Sequence, residues 1–86
     1  MAKRRKRDSE IFLSFGKRLR ALRLAKGLTP ARFHDATGID AEMLREYETG
    51  KLAPKLEAIM VMAKALGVSH LELFDIDIDI DGRDLR

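Results

Sequence analysis

The residues that carry charge or could do chemistry here are two histidines, fourteen carboxylates and seventeen lysines and arginines, with no cysteine. His34 and His70 stand too far apart in sequence to suggest a shared ligand set, and without thiolates neither a disulfide nor a cysteine metal site can form. The run Asp77-x-Asp79-x-Asp81-Gly82 matches the opening of a calcium loop. The chain stops before the bidentate glutamate such a loop needs at its twelfth position, so no metal is expected. No nucleophile–base pair, carboxylate dyad or phosphate-cradling loop is visible. The expectation is a protein that binds and does not catalyse, with no cofactor.

Where the charge lies indicates what it would bind. The formal net charge is +3, but residues 1–34 carry +9 and residues 35–86 carry −6. The positive half is concentrated in Lys3, Arg4, Arg5, Lys6 and Arg7, and in Lys17, Arg18, Arg20 and Arg23. Such clusters suit a polyanion, because each phosphate neutralised releases condensed counterions. The same charges also serve simply to solvate helix faces. The basic start is followed by Asp8 and Glu10 and not by an apolar segment, and no apolar run is long enough to span a bilayer. A cytoplasmic protein with no membrane partner is expected.

The elements that must position these charges separate by composition into a basic flexible arm at 1–8, a helical domain at 9–74 and an acidic tail at 75–86. Phe12, Phe15, Leu19 and Leu22 recur at helical spacing, with Ser9 as a start signal and Gly27 as a stop. Thr29-Pro30 opens a second helix that Gly38 closes, and Asp40 caps a third over Ala41 to Glu48, with Met43, Leu44 and Tyr47 as its apolar face. Leu56, Ile59, Met60, Ala63 and Leu66 predict a fourth, and Ser69-His70-Leu71-Glu72 is a capping box for a fifth. The fold class is all-α with five helices. The tail Asp75 to Asp81 alternates with strict period two, which places Ile76, Ile78 and Ile80 on one face of a strand. That face would pair with its copy across a two-fold as a dimer interface. The alternatives are that its aspartates neutralise the basic arm, or that the tail is disordered.

Several of these residues also carry a likeness: Phe15-Gly16-Lys17-Arg18-Leu19-Arg20-Ala21-Leu22-Arg23, Lys26-Gly27-Leu28-Thr29, Gly38-Ile39, Glu48-Thr49-Gly50 and Ala63 to Ser69. In order and spacing, over roughly residues 11–74, they resemble the phage-repressor and Cro-like (XRE) helix-turn-helix family. The resemblance implies a five-helix domain, usually dimeric, whose third helix enters the major groove of double-stranded DNA. Carried over by position, Gly38 is the turn glycine, Ile39 the buried turn residue, and Arg23 with Glu48 a structural pair. Base reading falls to Ala41, Glu42 and Arg45. DNA backbone contacts fall to Thr29, Arg32, Lys51 and Lys55, joined by the arm Lys3 to Arg7.

The sequence departs from the family pattern at four places. Pro30 stands where the family usually has Gln, and it lacks both a side-chain amide and a backbone N–H. His34 occupies a position normally held by a small residue at the closest helix approach, so either the crossing opens or the imidazole slides to the rim. The third helix is acidic, with Asp40, Glu42, Glu46 and Glu48 against Arg45 alone. Lys55 replaces a Ser or Thr cap. Two functions are compatible with this pattern. The first is a dimeric, sequence-specific DNA-binding transcriptional regulator. The second is an interaction module that keeps the fold, reads DNA weakly or not at all, and offers its acidic helix to a protein partner.

Overall fold

Thr29 adopts extended backbone (φ −73°, ψ 161°) and its hydroxyl accepts from the Arg32 N–H at 3.2 Å, so Pro30 can begin a helix without wasting a donor. The same logic sets each later boundary in the computed structural model, which describes residues 6–76, 79–80 and 83–84. The elements are α1 (Lys6–Lys26), α2 (Pro30–Thr37), α3 (Ala41–Glu48), α4 (Leu56–Leu66) and α5 (His70–Leu73), then β1 (Asp79–Ile80) and β2 (Arg83–Asp84). Asp40 caps α3 by accepting from Met43 N–H at 2.8 Å, and Ser69 with Glu72 closes both bonds of a capping box on α5. Gly38 ends α2 in the left-handed region (φ 79°), its N–H donating to the His34 carbonyl at 2.7 Å. The Thr37 hydroxyl donates to the Phe33 carbonyl and accepts from Ile39 N–H, holding the turn between α2 and α3.

One core joins all five helices. Leu19 from α1, Phe33 from α2, Leu44 from α3, Met62 from α4 and Leu73 from α5 are essentially inaccessible, with Phe15, Ile39, Tyr47, Ala63 and Leu66 around them. Burying side chains of this size contributes roughly 1.5–3 kcal/mol each, which is how short helices of four to eleven residues persist. The domain is all-α, as expected.

Several boundaries and faces differ from the sequence expectation. α1 begins at Lys6 and not at Ser9, because Lys, Arg and Glu are good helix formers and Asp8 in the first turn opposes the positive end of the helix dipole. Residues 6–8, expected in the basic arm, are therefore part of α1. On α3 the buried stripe is Leu44 and Tyr47, while Met43 lies exposed at its edge. On α4 the inward residues are Met62, Ala63 and Leu66, and Leu56 and Met60 face outward.

The strand expected through Asp75–Asp81 does not form as one element. Ile76 instead packs, partly buried, against the domain's own core. Beyond it lies a two-residue antiparallel pairing of β1 with β2, Asp79 opposite Asp84 and Ile80 opposite Arg83, within one chain. Ile78 lies outside the described residues.

Lys55 takes the N-cap position of α4 with suitable backbone (φ −75°, ψ 162°) but makes no side-chain cap bond. Lys55→Ser should therefore raise stability by about 1 kcal/mol, seen as a Tm increase of several degrees in a domain this small. A Tm unchanged or lowered would show that the first-turn N–H groups are already satisfied.

Candidate nucleic-acid interface

α2 and α3 meet at the Gly38–Ile39 turn and leave their N-terminal ends on the surface. Thr29, Pro30 and Arg32 are exposed on α2 and its cap, and Ala41, Glu42 and Arg45 are exposed on α3. Spacings of one and four residues put these last three on one side of α3, with Leu44 and Tyr47 turned into the core and Glu48 following Ala41 two turns on, at the seam with α1. Ala41 and Arg45 line a shallow depression together with Pro30, Arg20 and the Arg23–Glu48 pair. A helix N-terminus presents free N–H groups and the positive end of a dipole, and here two such ends flank exposed guanidinium groups.

Behind this face, Glu48 is held by α1. Arg23 Nε donates to Glu48 Oε2 at 2.7 Å, Nη2 donates to Oε1 at 3.3 Å, and Nη1 donates to the Leu28 carbonyl at 2.7 Å. The two side chains are only 6% and 7% exposed. A fork-to-fork bond of this kind fixes distance and angle together, so it locks α3 onto α1 and the start of α2. Gly16 completes the seam. A Cβ placed there would lie 2.5 Å from the Glu48 carbonyl oxygen and would also strike the Tyr47 carbonyl, so α1 and α3 touch backbone to backbone. Beside it, burial, with Glu46 near, raises the Tyr47 phenol above its ordinary value.

Three arginines of α1 turn to different tasks. Arg23 is consumed in the buried pair. Arg18 Nε turns to the Glu72 carbonyl at 3.1 Å and fastens α5. Arg20 stays on the α2–α3 side, 60% exposed, with Nη1 3.8 Å from Glu48 Oε1. The cluster expected from the sequence is therefore not a single patch; its part beside α3 is Arg20.

The structure thus brings Arg23 to Glu48, Gly38 to its left-handed turn, Ile39 into the core, and Ala41 and Arg45 to the end of α2 at Pro30. Lys51 and Lys55 are exposed in and after the loop that follows α3. Lys3, Arg4 and Arg5 lie outside the described residues, and Lys6 and Arg7 enter as the first backbone positions of α1. His34 is exposed, with Phe33 as the buried residue of α2, which answers the crowding expected at that position. Sequence reasoning passed over Gly16 as a contact residue and Arg20 as part of this face. An isolated glycine inside an amphipathic helix pattern is itself a signal of close approach.

This arrangement is that of a helix-turn-helix protein, and comparison with known proteins agrees. The family model described as "Helix-turn-helix domain" matches residues 14–74. An uncharacterized HTH-type transcriptional regulator of Sinorhizobium fredii, y4dJ, is 36% identical over 58 residues, covering 67% of this chain and 75% of that protein. Another from Bacillus subtilis, YazB, is 39% identical over 59 residues, covering 69% and 86%. Among solved structures, the restriction-modification controller protein C.AhdI from Aeromonas hydrophila superposes with a TM-score of 0.70 at 36% identity, covering 73% of this chain and 96% of that one. The DNA-binding domain of BldD gives 0.69 at 28% identity, covering 76% and 94%. The chain belongs to the Cro/XRE-like helix-turn-helix family of transcriptional regulators.

Proposed function

We propose that the protein is a dimeric, sequence-specific double-stranded DNA-binding regulator of transcription, acting in the cytoplasm, with α3 in the major groove. The observation that carries this reading is the exposure of Ala41, Glu42 and Arg45 on one side of α3, beside the capped start of α2. Arg45 would bridge a guanine edge, Glu42 would accept from a cytosine amino group, and Ala41 would lie against a thymine methyl. Thr29, Arg32, Lys51 and Lys55, with Lys3 to Arg7 ahead of α1, would set the register on phosphates.

The acidity of α3 weighs less than its formula suggests. Glu48 is buried against Arg23, and the Asp40 carboxylate is engaged with the Met43 N–H at the positive end of the helix. Glu42 and Glu46 then remain against Arg45, with Arg20 close by. The second reading, a module that binds a basic protein partner through α3, rests on those two carboxylates and on the loss of an N–H donor at Pro30.

Selection from random duplex DNA at about 150 mM salt, where screening within roughly 8 Å suppresses attraction by the arm alone, separates the two. Enrichment of a two-fold site with half-sites about 34 Å apart is the expected result. Absence of enrichment, with residual binding that vanishes when residues 2–5 are deleted, would transfer the assignment to the protein-binding reading. On an enriched site, Arg45→Ala should cost about 1–3 kcal/mol and relax one base position, whereas deleting residues 2–5 should weaken all sequences alike and lower the salt slope. Equal effects of both changes on every sequence would remove Arg45 from the reading face.

A further inference from the structure

We propose that the outer face of α4 is a self-association surface whose occupant is the same face of a second copy, paired antiparallel about a two-fold axis between Met60 and Val61. Glu57, Met60, Val61 and Lys64 lie within one side of the helix, three, four and seven residues apart. All four are exposed, Met60 by 49% and Val61 by 41%, and Leu56 at the edge by 72%. Neither Glu57 nor Lys64 has an ion-pair or side-chain hydrogen-bond partner among the described residues.

The order of these residues carries the assignment. Glu57 and Lys64 stand at equal distances on either side of the point between Met60 and Val61, about 5 Å along the axis at 1.5 Å per residue. An antiparallel two-fold copy therefore sets Glu57 against Lys64 of the second chain at one end and Lys64 against Glu57 at the other. Met60 meets Met60 and Val61 meets Val61 over the centre. That is the self-complementarity an isologous interface requires. A parallel copy would instead oppose like charges.

The position in the fold agrees. α4 packs chiefly against α1, α2 and α5, so pairing through its outer side leaves the exposed face of α3 free. A single helix face falls at the small end of stable interfaces, so the dimer should be weak.

The proposal deepens the dimeric reading above and rests on it for the two-fold symmetry, but its test contains no DNA. Sedimentation equilibrium of the full chain should show a monomer–dimer equilibrium. Glu57→Lys and Lys64→Glu should each weaken it at least about tenfold, since each opposes like charges twice. The double variant Glu57→Lys/Lys64→Glu should restore dimerisation, and an equimolar mixture of the two single variants should form the heterodimer. Circular dichroism of these surface variants should match that of the parent. A parent that stays monomeric overturns the proposal. So does a dimer indifferent to both charge reversals, which would place association elsewhere, for example on the tail around Ile78 and Ile80. Failure of DNA selection with the charge swap intact would overturn only the DNA-binding reading.

Discussion

Glu48→Ala should cost about 3–5 kcal/mol of folding stability, a large share of the 5–15 kcal/mol that small domains possess. The loss comes less from the attraction removed than from what is left behind. Arg23 keeps its bond to the Leu28 carbonyl, but its Nε and Nη2 groups, in a side chain 6% exposed, would face no acceptor. Arg20 contributes little to this effect, being 60% exposed and 3.8 Å away. Removing both charges should be much milder. Arg23→Met with Glu48→Leu fills the same volume, and its residual cost is about 1 kcal/mol for the Leu28 carbonyl left without a donor. Urea unfolding followed by circular dichroism checks both. A single-variant loss below about 1 kcal/mol would mean that water reaches the guanidinium when Glu48 is absent.

Gly16→Ala should destabilise by about 3 kcal/mol, although the same change in an exposed helix stabilises by about 1 kcal/mol. The sign reverses because the new methyl would meet the carbonyl oxygens of Tyr47 and Glu48, backbone atoms that cannot rotate aside. The only relief is to part α1 from α3, and that lengthens the Arg23–Glu48 bonds too. The two variants should therefore be non-additive, the combined loss falling short of the sum of the single losses. An increase in Tm for Gly16→Ala would show that the two backbones do not touch.

The helix boundaries were legible wherever a side chain caps its own backbone. Thr29, Asp40 and Ser69 announce themselves by residue type, and Gly38 and Gly67 close helices that nothing else would close. The pairing of Arg23 with Glu48 was reached through family likeness, since a contact across 25 residues leaves no local periodicity to read. The facing of α4 was legible only in part, for a related reason. Of the expected stripe, Ile59, Ala63 and Leu66 do turn to the core, but a helix with so many apolar residues offers neighbouring stripes, and tertiary packing took in Met62 and left Leu56 and Met60 outside.

The tail misled because its period-two pattern is so regular. Alternation specifies a strand only if something covers one face, and Ile76 finds its cover in the core of its own domain.

The two sides of α3 answer to different constraints. Leu44, Tyr47 and Glu48 are bound into the core and the α1 seam, whereas Ala41, Glu42 and Arg45 are exposed. Substitutions at the outer three should leave stability within about 0.5 kcal/mol. The chemistry of this face can therefore be changed one residue at a time while the fold that presents it stays intact.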